Sequence, residues 1–326
     1  MDQYENHVAA NALFEQILDL DDILEASTPS LFGGLHCASF FGIVGVMTGL
    51  LGISGCDTNR ADSAGITPLI WAVRGGHEEA VELFLGLEAV RSNRTSNNGG
   101  TPLWWAANKG HASVAKQLLD RKDVNPDQPD NDGITPLLMA AFLGRGSVVK
   151  QLLDREDVIP DQQLDGVGYT PLLLAAAGGH EAVVKELLDR QDVDPNKQDS
   201  EGNTPLSCAA VNGGESVVKR LLDRQDVDPN KPDNEGNTPL SWAAVTGHEL
   251  VVKQLLDRKG VDSDKPDNTG KTPLSWAAIK GHDSVVKQLL DSEKVNPHRP
   301  DNRGRTPALL AAGHGHRAIL KLLWGR

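Results

Sequence analysis

Apolar residues in this chain come in two short bursts set apart by polar stretches. Leu240, Trp242, Ala243 and Ala244 form one burst, and Val251, Val252, Leu255 and Leu256 form the next. Spacing within each burst follows the helical period, which predicts two short helices with their apolar stripes turned toward each other. The alanines let the second helix approach the first closely. The same double burst returns along the chain, marked by Thr-Pro-Leu at Thr67, Thr101, Thr135, Thr170, Thr204, Thr238 and Thr272 and by Thr306-Pro307-Ala308. The step is 34 residues, with a single step of 35 from Thr135 to Thr170. A period of this size predicts a solenoid, in which each unit buries its apolar face only by stacking on its neighbours.

Start and stop signals agree with that division. Asp233-Asn-Glu-Gly236 is a turn signal, with Gly236 able to take a positive φ, so a short hairpin is expected ahead of each first helix. Thr238 is a good N-cap and Pro239 sits at the first helical position, where its missing N–H costs nothing. Gly247 ends the first helix. Asp194-Pro195-Asn196 and Asp228-Pro229-Asn230 end second helices and turn the chain toward the next hairpin.

The order hairpin, Thr-Pro-Leu-x-x-Ala-Ala-x-x-Gly-His, helix, loop resembles the ankyrin repeat. The resemblance implies an all-α repeat solenoid, an array of helix-turn-helix units joined by projecting β-hairpin loops. It covers Gly33 to Arg326 as about nine repeats, starting near 33, 67, 101, 135, 170, 204, 238, 272 and 306, the last truncated as a C-terminal cap. The His usual after Thr-Pro-Leu is replaced by Ser207, Ser241 and Ser275, and the unit is one residue longer than the common form. The Leu-Leu-Asp-Arg-x-Asp-Val-Asp-Pro-Asn loop is similar to arrays of fungal proteins, including those attached to nucleotide-binding immune-type receptors.

Residues 1–32 form a separate acidic segment. Leu13-Phe-Glu-Gln-Ile17-Leu18-Asp19 matches Val114-Ala-Lys-Gln-Leu118-Leu119-Asp120, so residues 8–24 are expected to be a lone second helix, a half repeat capping the stack. Gly33-Gly34-Leu35-His36-Cys37-Ala38 lies one period before Thr67 and reads as a degenerate first repeat that keeps the ankyrin His. Leu31 to Cys56 lacks any Asp, Glu, Lys or Arg, yet its seven glycines and its repeat register indicate a buried first repeat rather than a membrane helix. No basic start followed by an apolar run precedes it, so no secretory signal is expected.

Charge changes the picture only modestly. Of the net −13, seven units come from residues 1–32, where Asp2, Glu5, Glu15, Asp19, Asp21, Asp22 and Glu25 meet no Lys or Arg. The chain lacks the basic stripe on which duplex binding depends, which argues against nucleic acid as a partner. Cys37, Cys56 and Cys208 are too few and too scattered for a disulfide framework, which suits a reducing, cytoplasmic interior.

Most residues with chemical potential fall into repeating columns. His77, His111, His180, His248, His282 and His316 share the Gly-His column and are expected to join repeats by hydrogen bonds, as is His36 in its own position. Their even spread argues against a metal site, since ligands must converge. Trp71, Trp105, Trp242 and Trp276 occupy the column that elsewhere holds Cys37, Met139, Leu174 and Cys208, which reads as core packing rather than an aromatic box. Asp192-Val-Asp194 and Asp226-Val-Asp228 lack the twelve-residue calcium pattern and read as solvated loops. No phosphate loop and no nucleophile elbow is present, and no cofactor is expected.

What remains are positions where the repeats disagree. The resemblance implies that the two residues before Gly-His and the hairpin tips line a concave groove and carry partner recognition. There the unusual residues gather in repeats two to four, with Trp104 in place of Ser or an aliphatic and Arg145 in place of His. Exposed aromatic and Arg side chains are the usual anchors of interfaces. The candidate groove is Arg74, Asn108, Lys109, Phe142, Leu143 and Tyr169. A monomeric, non-catalytic scaffold for a protein or peptide partner is the expectation, with acidic hairpin tips such as Glu201 and Glu235 favouring basic segments. The alternative is a small-molecule groove with acid/base or templating activity of cyclase or isomerase type, using Tyr169, Lys109, Arg74 and His314. A third reading makes the chain the sensor portion of a fungal receptor-like protein, although Met1 and the capped start point to a complete one.

Overall fold

The computed structural model describes residues 33–325, and among them the chain forms eighteen short helices and no strand. The proposed helix over residues 8–24 lies outside the described residues. Two compact units are distinguished, Met1–Asn125 and Pro126–Arg326. The first contains α1 (Gly34–Phe40), α2 (Val44–Leu51), α3 (Pro68–Arg74), α4 (Glu78–Leu85), α5 (Pro102–Lys109) and α6 (Ala112–Leu119). The second contains α7 (Pro136–Phe142), α8 (Gly146–Leu153), α9 (Pro171–Ala177), α10 (Glu181–Leu188), α11 (Pro205–Val211), α12 (Glu215–Leu222), α13 (Pro239–Thr246), α14 (Glu249–Asp257), α15 (Pro273–Lys280), α16 (Asp283–Leu290), α17 (Pro307–Gly313) and α18 (Arg317–Trp324).

Within each unit the odd-numbered helices pack in one row and the even-numbered helices in another. In the first unit α1, α3 and α5 follow one another, with α2, α4 and α6 alongside; the second repeats the scheme from α7 and α8 onward. The fold is therefore an all-α repeat solenoid. Thr67, Thr101, Thr135, Thr170, Thr204, Thr238, Thr272 and Thr306 each accept at Oγ1 the N–H of the residue three further on, as N-caps should. Prolines follow at the first helical position in every case. Where Ser replaces the usual His, Ser207 Oγ receives the Thr204 N–H at 2.9 Å and completes a capping box. Gly247 ends α13 in the left-handed region at φ 79°.

Alanines on the first helices (Ala72, Ala106, Ala243, Ala244) are fully buried, as are Val251, Val252 and Leu255 on α14. Burial of each large aliphatic contributes about 1.5–3 kcal/mol. The connecting hairpins are tight turns. Asp233 N–H donates to Asn237 O at 3.0 Å, Gly236 N–H to Asp233 O at 3.0 Å, and Asp233 Oδ1 accepts the N–H groups of Glu235 and Asn237. Gly236 sits at φ 87° and a Cβ there would lie 2.7 Å from Asn268 N, so glycine is required. Asn268 in turn donates its N–H to Glu235 O and its side-chain amide to Asn234 O, tying one turn to the next.

The extra residue of the 35-residue step is taken up inside one turn. Leu164 stands where the sister turns have Asp or, at Ser96, Ser, and its N–H spans to Tyr169 O, five residues on instead of four. Ser200 N–H still donates to Val167 O at 3.0 Å, so the turn-to-turn register survives. The first repeat departs from expectation. The burial expected of Leu31–Cys56 holds among the described residues for Leu35, Ala38 and Met47, whereas Phe40, Phe41, Ile43, Val46 and Ile53 are exposed.

Candidate interaction surface

Each first helix presents its C-terminal end and its Trp column beside the neighbouring turn. The Trp column packs in the core with the polar tips of its rings tied to the turn ahead of each helix. Trp71, Trp242 and Trp276 donate Nε1–H to Asp62, Asp233 and Asp267 at 2.9 Å, and Trp105 donates to Ser96 Oγ at 3.0 Å. Trp105, Met139, Leu174, Cys208 and Trp242 are buried, as a packing column should be, whereas Trp71 and Trp276 are half-buried and Cys37 is exposed. Rings at an apolar boundary with a polar tip anchored are held in one orientation.

In the first unit Trp71 and Trp105 of this column join Phe40, Phe41 and Arg74 in one stack. Phe41 meets Phe40 edge-on with centroids 4.9 Å apart, and Phe40 meets Trp71 edge-on at 5.3 Å. The Arg74 guanidinium lies between two indoles, 4.7 Å from the Trp71 centroid and 4.3 Å from that of Trp105. Such cation–π contacts contribute about 0.5–1 kcal/mol each where solvent reaches them. Phe40 is 45 % exposed and Phe41 61 %. In the second unit the Trp276 ring carries Lys271 Nζ at 4.6 Å.

Of the sequence-derived candidates, Arg74 is half-buried within the stack and Lys109 is exposed near it on α5. Asn108 is 6 % exposed and belongs to the packing beneath the surface, which corrects its place in a contact patch. Trp104, singled out as an aromatic departure, is fully buried and packs edge-on against Trp105 at 5.0 Å. Phe142, Leu143 and Tyr169 are half-buried in the second unit, where Phe142 O accepts from the His180 ring. Burial, with Asp199 adding, pushes the Tyr169 phenol up to about 12, so it holds its proton at neutral pH. His314 is exposed on the last repeat, stacked on His316 with centroids 6.3 Å apart, and four repeats separate it from Tyr169. The four residues of the acid/base alternative fall in both units, Arg74 and Lys109 in one, Tyr169 and His314 in the other.

The remaining chemistry is structural. Nε2 of His77, His111, His180, His248, His282 and His316 bonds, at 2.8–3.1 Å, a carbonyl one repeat back: Phe40, Arg74, Phe142, Val211, Val245 and Ile279 O. Gly214 stands in this column without a ring, and Asn212 Nδ2 reaches the equivalent acceptor, Ala177 O, at 3.2 Å. His36 Nδ1 accepts from Gly33 N–H and its Nε2–H donates to Arg60 O, the neutral tautomer that burial favours by lowering its pKa. The loop carboxylates of Asp192 and Asp226 grip Arg190 and Arg224, which hold both acids below the usual carboxylate range. Those arginines donate to Leu153 O and Leu188 O of the preceding repeats. Cys208 is buried and burial pushes its thiol up, away from nucleophile chemistry.

The aromatic stack, rather than the sequence-derived patch alone, is the unusual feature of the first unit. A signal for it was available: Trp71 and Arg74 are three residues apart, on one face of α3. A family model described as ankyrin repeats (3 copies) matches residues 35–130, 109–199, 172–267 and 251–325. No curated protein matches the chain.

Proposed function

Because the chain belongs to the ankyrin-repeat family, whose arrays generally serve protein–protein interaction, we propose that it is a non-catalytic scaffold that docks a protein or peptide on the aromatic stack of its first repeats. The observation that carries this reading is Arg74 held between Trp71 and Trp105, with Phe40 and Phe41 extending the stack into solvent. Recognition surfaces draw most of their energy from a few aromatic and Arg anchors, and rings fixed beforehand lose little freedom on binding. Lys109 adds positive charge on the same unit. The partner segment that fits is extended, rich in apolar or aromatic side chains, and acidic rather than basic. Cys37, Cys56 and Cys208 are all free thiols, which supports a reducing compartment as the place of action.

The test is a peptide selected from a displayed library on the full chain, with its affinity then measured on variants. Phe40→Ser/Phe41→Ser is expected to weaken binding by at least about tenfold, roughly 1.4 kcal/mol, and Arg74→Ala by a similar factor. Leu309→Ser, at an exposed apolar residue of the last repeat, should leave affinity unchanged. Wild-type affinity in both stack variants, with helical content intact by circular dichroism, overturns the reading.

A further inference from the structure

The repeat that holds α17 and α18 departs from the three before it at positions that face forward along the stack. Ser207, Ser241 and Ser275 stand third in their first helices and are 1 % exposed or less. Leu309 takes that position on α17 and is 59 % exposed. Leu188, Leu222 and Leu290 end α10, α12 and α16 and are buried, whereas Trp324 ends α18 in their column at 72 % exposure. Leu320 is half-buried where Val218, Val252 and Val286 are fully buried. The outer face of a solenoid's end is expected to turn polar. This one exchanges Ser for Leu and widens Leu to Trp.

Charge changes sign in the same repeat. Glu181, Glu215, Glu249 and Asp283 open α10, α12, α14 and α16, where a carboxylate suits the positive end of the helix. Arg317 opens α18 against that preference and is exposed. At the hairpin tip, Glu201, Glu235 and Thr269 give way to Arg303, which is exposed too. Residues 302–326 include Arg303, Arg305, Arg317, Lys321 and Arg326 but no Asp or Glu. Arg305 is paired with Asp301 at 2.8 Å. The opening position of a second helix reaches toward the following repeat, since Glu181 Oε1 accepts from Arg220 Nη2 at 3.1 Å. Arg317, at that position, offers the opposite sign and calls for a carboxylate.

We propose that the forward face of α17 and α18 is a second docking surface, which takes an acidic amphipathic helix of a partner protein. Arg317, Leu320, Lys321 and Trp324 lie at spacings of three, four and seven residues from one another or less, on one face of α18. The apolar stripe of the partner helix covers Leu309, Leu320 and Trp324, and its carboxylates meet Arg317 and Lys321. A side chain that works against its own helix fits a role outside that helix.

The test is a displayed library of amphipathic helices, selected on the full-length chain carrying Phe40→Ser/Phe41→Ser so that the aromatic stack of the first unit takes no part. The selected helices are expected to carry an excess of Asp and Glu beside their apolar stripe. Leu309→Ser and Arg317→Glu each restore the residue type of the preceding repeats, so the thermal midpoint should hold or rise in both. Affinity for the selected helix should nevertheless fall at least about tenfold in each. A library without winners, winners without an acidic excess, or unchanged affinity in both variants overturns the proposal. Wild-type chain that sediments with phosphatidylserine vesicles, and fails to in Trp324→Leu, assigns the face to a membrane. A wild-type dimer by light scattering that dissociates in Leu309→Ser assigns it to a second copy, and either result overturns the proposal too.

Discussion

Single side chains decide how well neighbouring repeats are fastened. Asn59, Asn196 and Asn230 each form a two-way amide clasp: Oδ1 accepts an N–H of the next repeat and Nδ2 donates to its carbonyl, as in Asn196 with Asp228 N at 2.7 Å and Asp226 O at 2.7 Å. Asp161 holds the same column. Its Oδ2 accepts from Asp194 N–H at 2.7 Å, and its buried Oδ1 receives no hydrogen bond. Burial raises this carboxyl above its usual range, with Asp194 and Asp192 adding and the Asp194 N–H and Lys197 opposing. The folded state thus binds the proton more tightly than the unfolded chain. Its contribution is complete below the unfolded carboxyl value and fades as pH rises through the raised folded one. Asp161→Asn restores the missing donor. Denaturation midpoints at pH 5 and pH 8 should show the variant gaining about 1 kcal/mol at pH 8 and less at pH 5; an equal change at both contradicts the clasp. The caps were legible at this scale, because Thr followed by Pro has one local use. The Arg74 stack was legible only in part: the three-residue spacing of Trp71 and Arg74 signals one contact, whereas the column's swaps of Trp for Leu, Met and Cys indicate packing and give no sign of the neighbouring repeat's ring.

Helices and turns show where repetition substitutes one device for another. The His column was legible as repeat-joining, since an identical polar residue at six equivalent steps has to find an identical partner. Its gap at Gly214, filled by Asn212, was not, because that partner is 35 residues away. Gly214 has φ −73° and ψ 72°, close to the −76° and 85° of His248, and a Cβ there meets only ordinary contacts. Gly214→His should therefore bond Ala177 O, displace the Asn212 amide and stabilise the chain by about 1 kcal/mol. A lowered midpoint in thermal unfolding would contradict this. The 35-residue step was legible as a break in register, but its effect was not. The added residue enlarges one turn, through glycines at Gly166 and Gly168 with φ 81° and 73°, and leaves the helices on both sides in place.

At the scale of the molecule, the repeats supply order everywhere and distinctiveness only in part. From Thr170 to Thr306 the sequence returns with few changes, and the structure follows with the same Thr caps and the same turns. The first unit breaks that uniformity with Phe40, Phe41, Trp71, Arg74 and Trp105, all drawn into one stack. The fold was readable from the period alone, because stacking units of one pattern admit one architecture. The surface was readable only to the neighbourhood, since exposure depends on which repeat lies next door; Asn108 and Trp104 turned inward for that reason. The most direct measurement is a hydrogen-exchange footprint of a library-selected peptide on the full-length chain. Protection is expected across residues 35–42, 68–75 and 102–109, and protection confined to residues 205–313 would contradict a recognition surface built on the Arg74 stack.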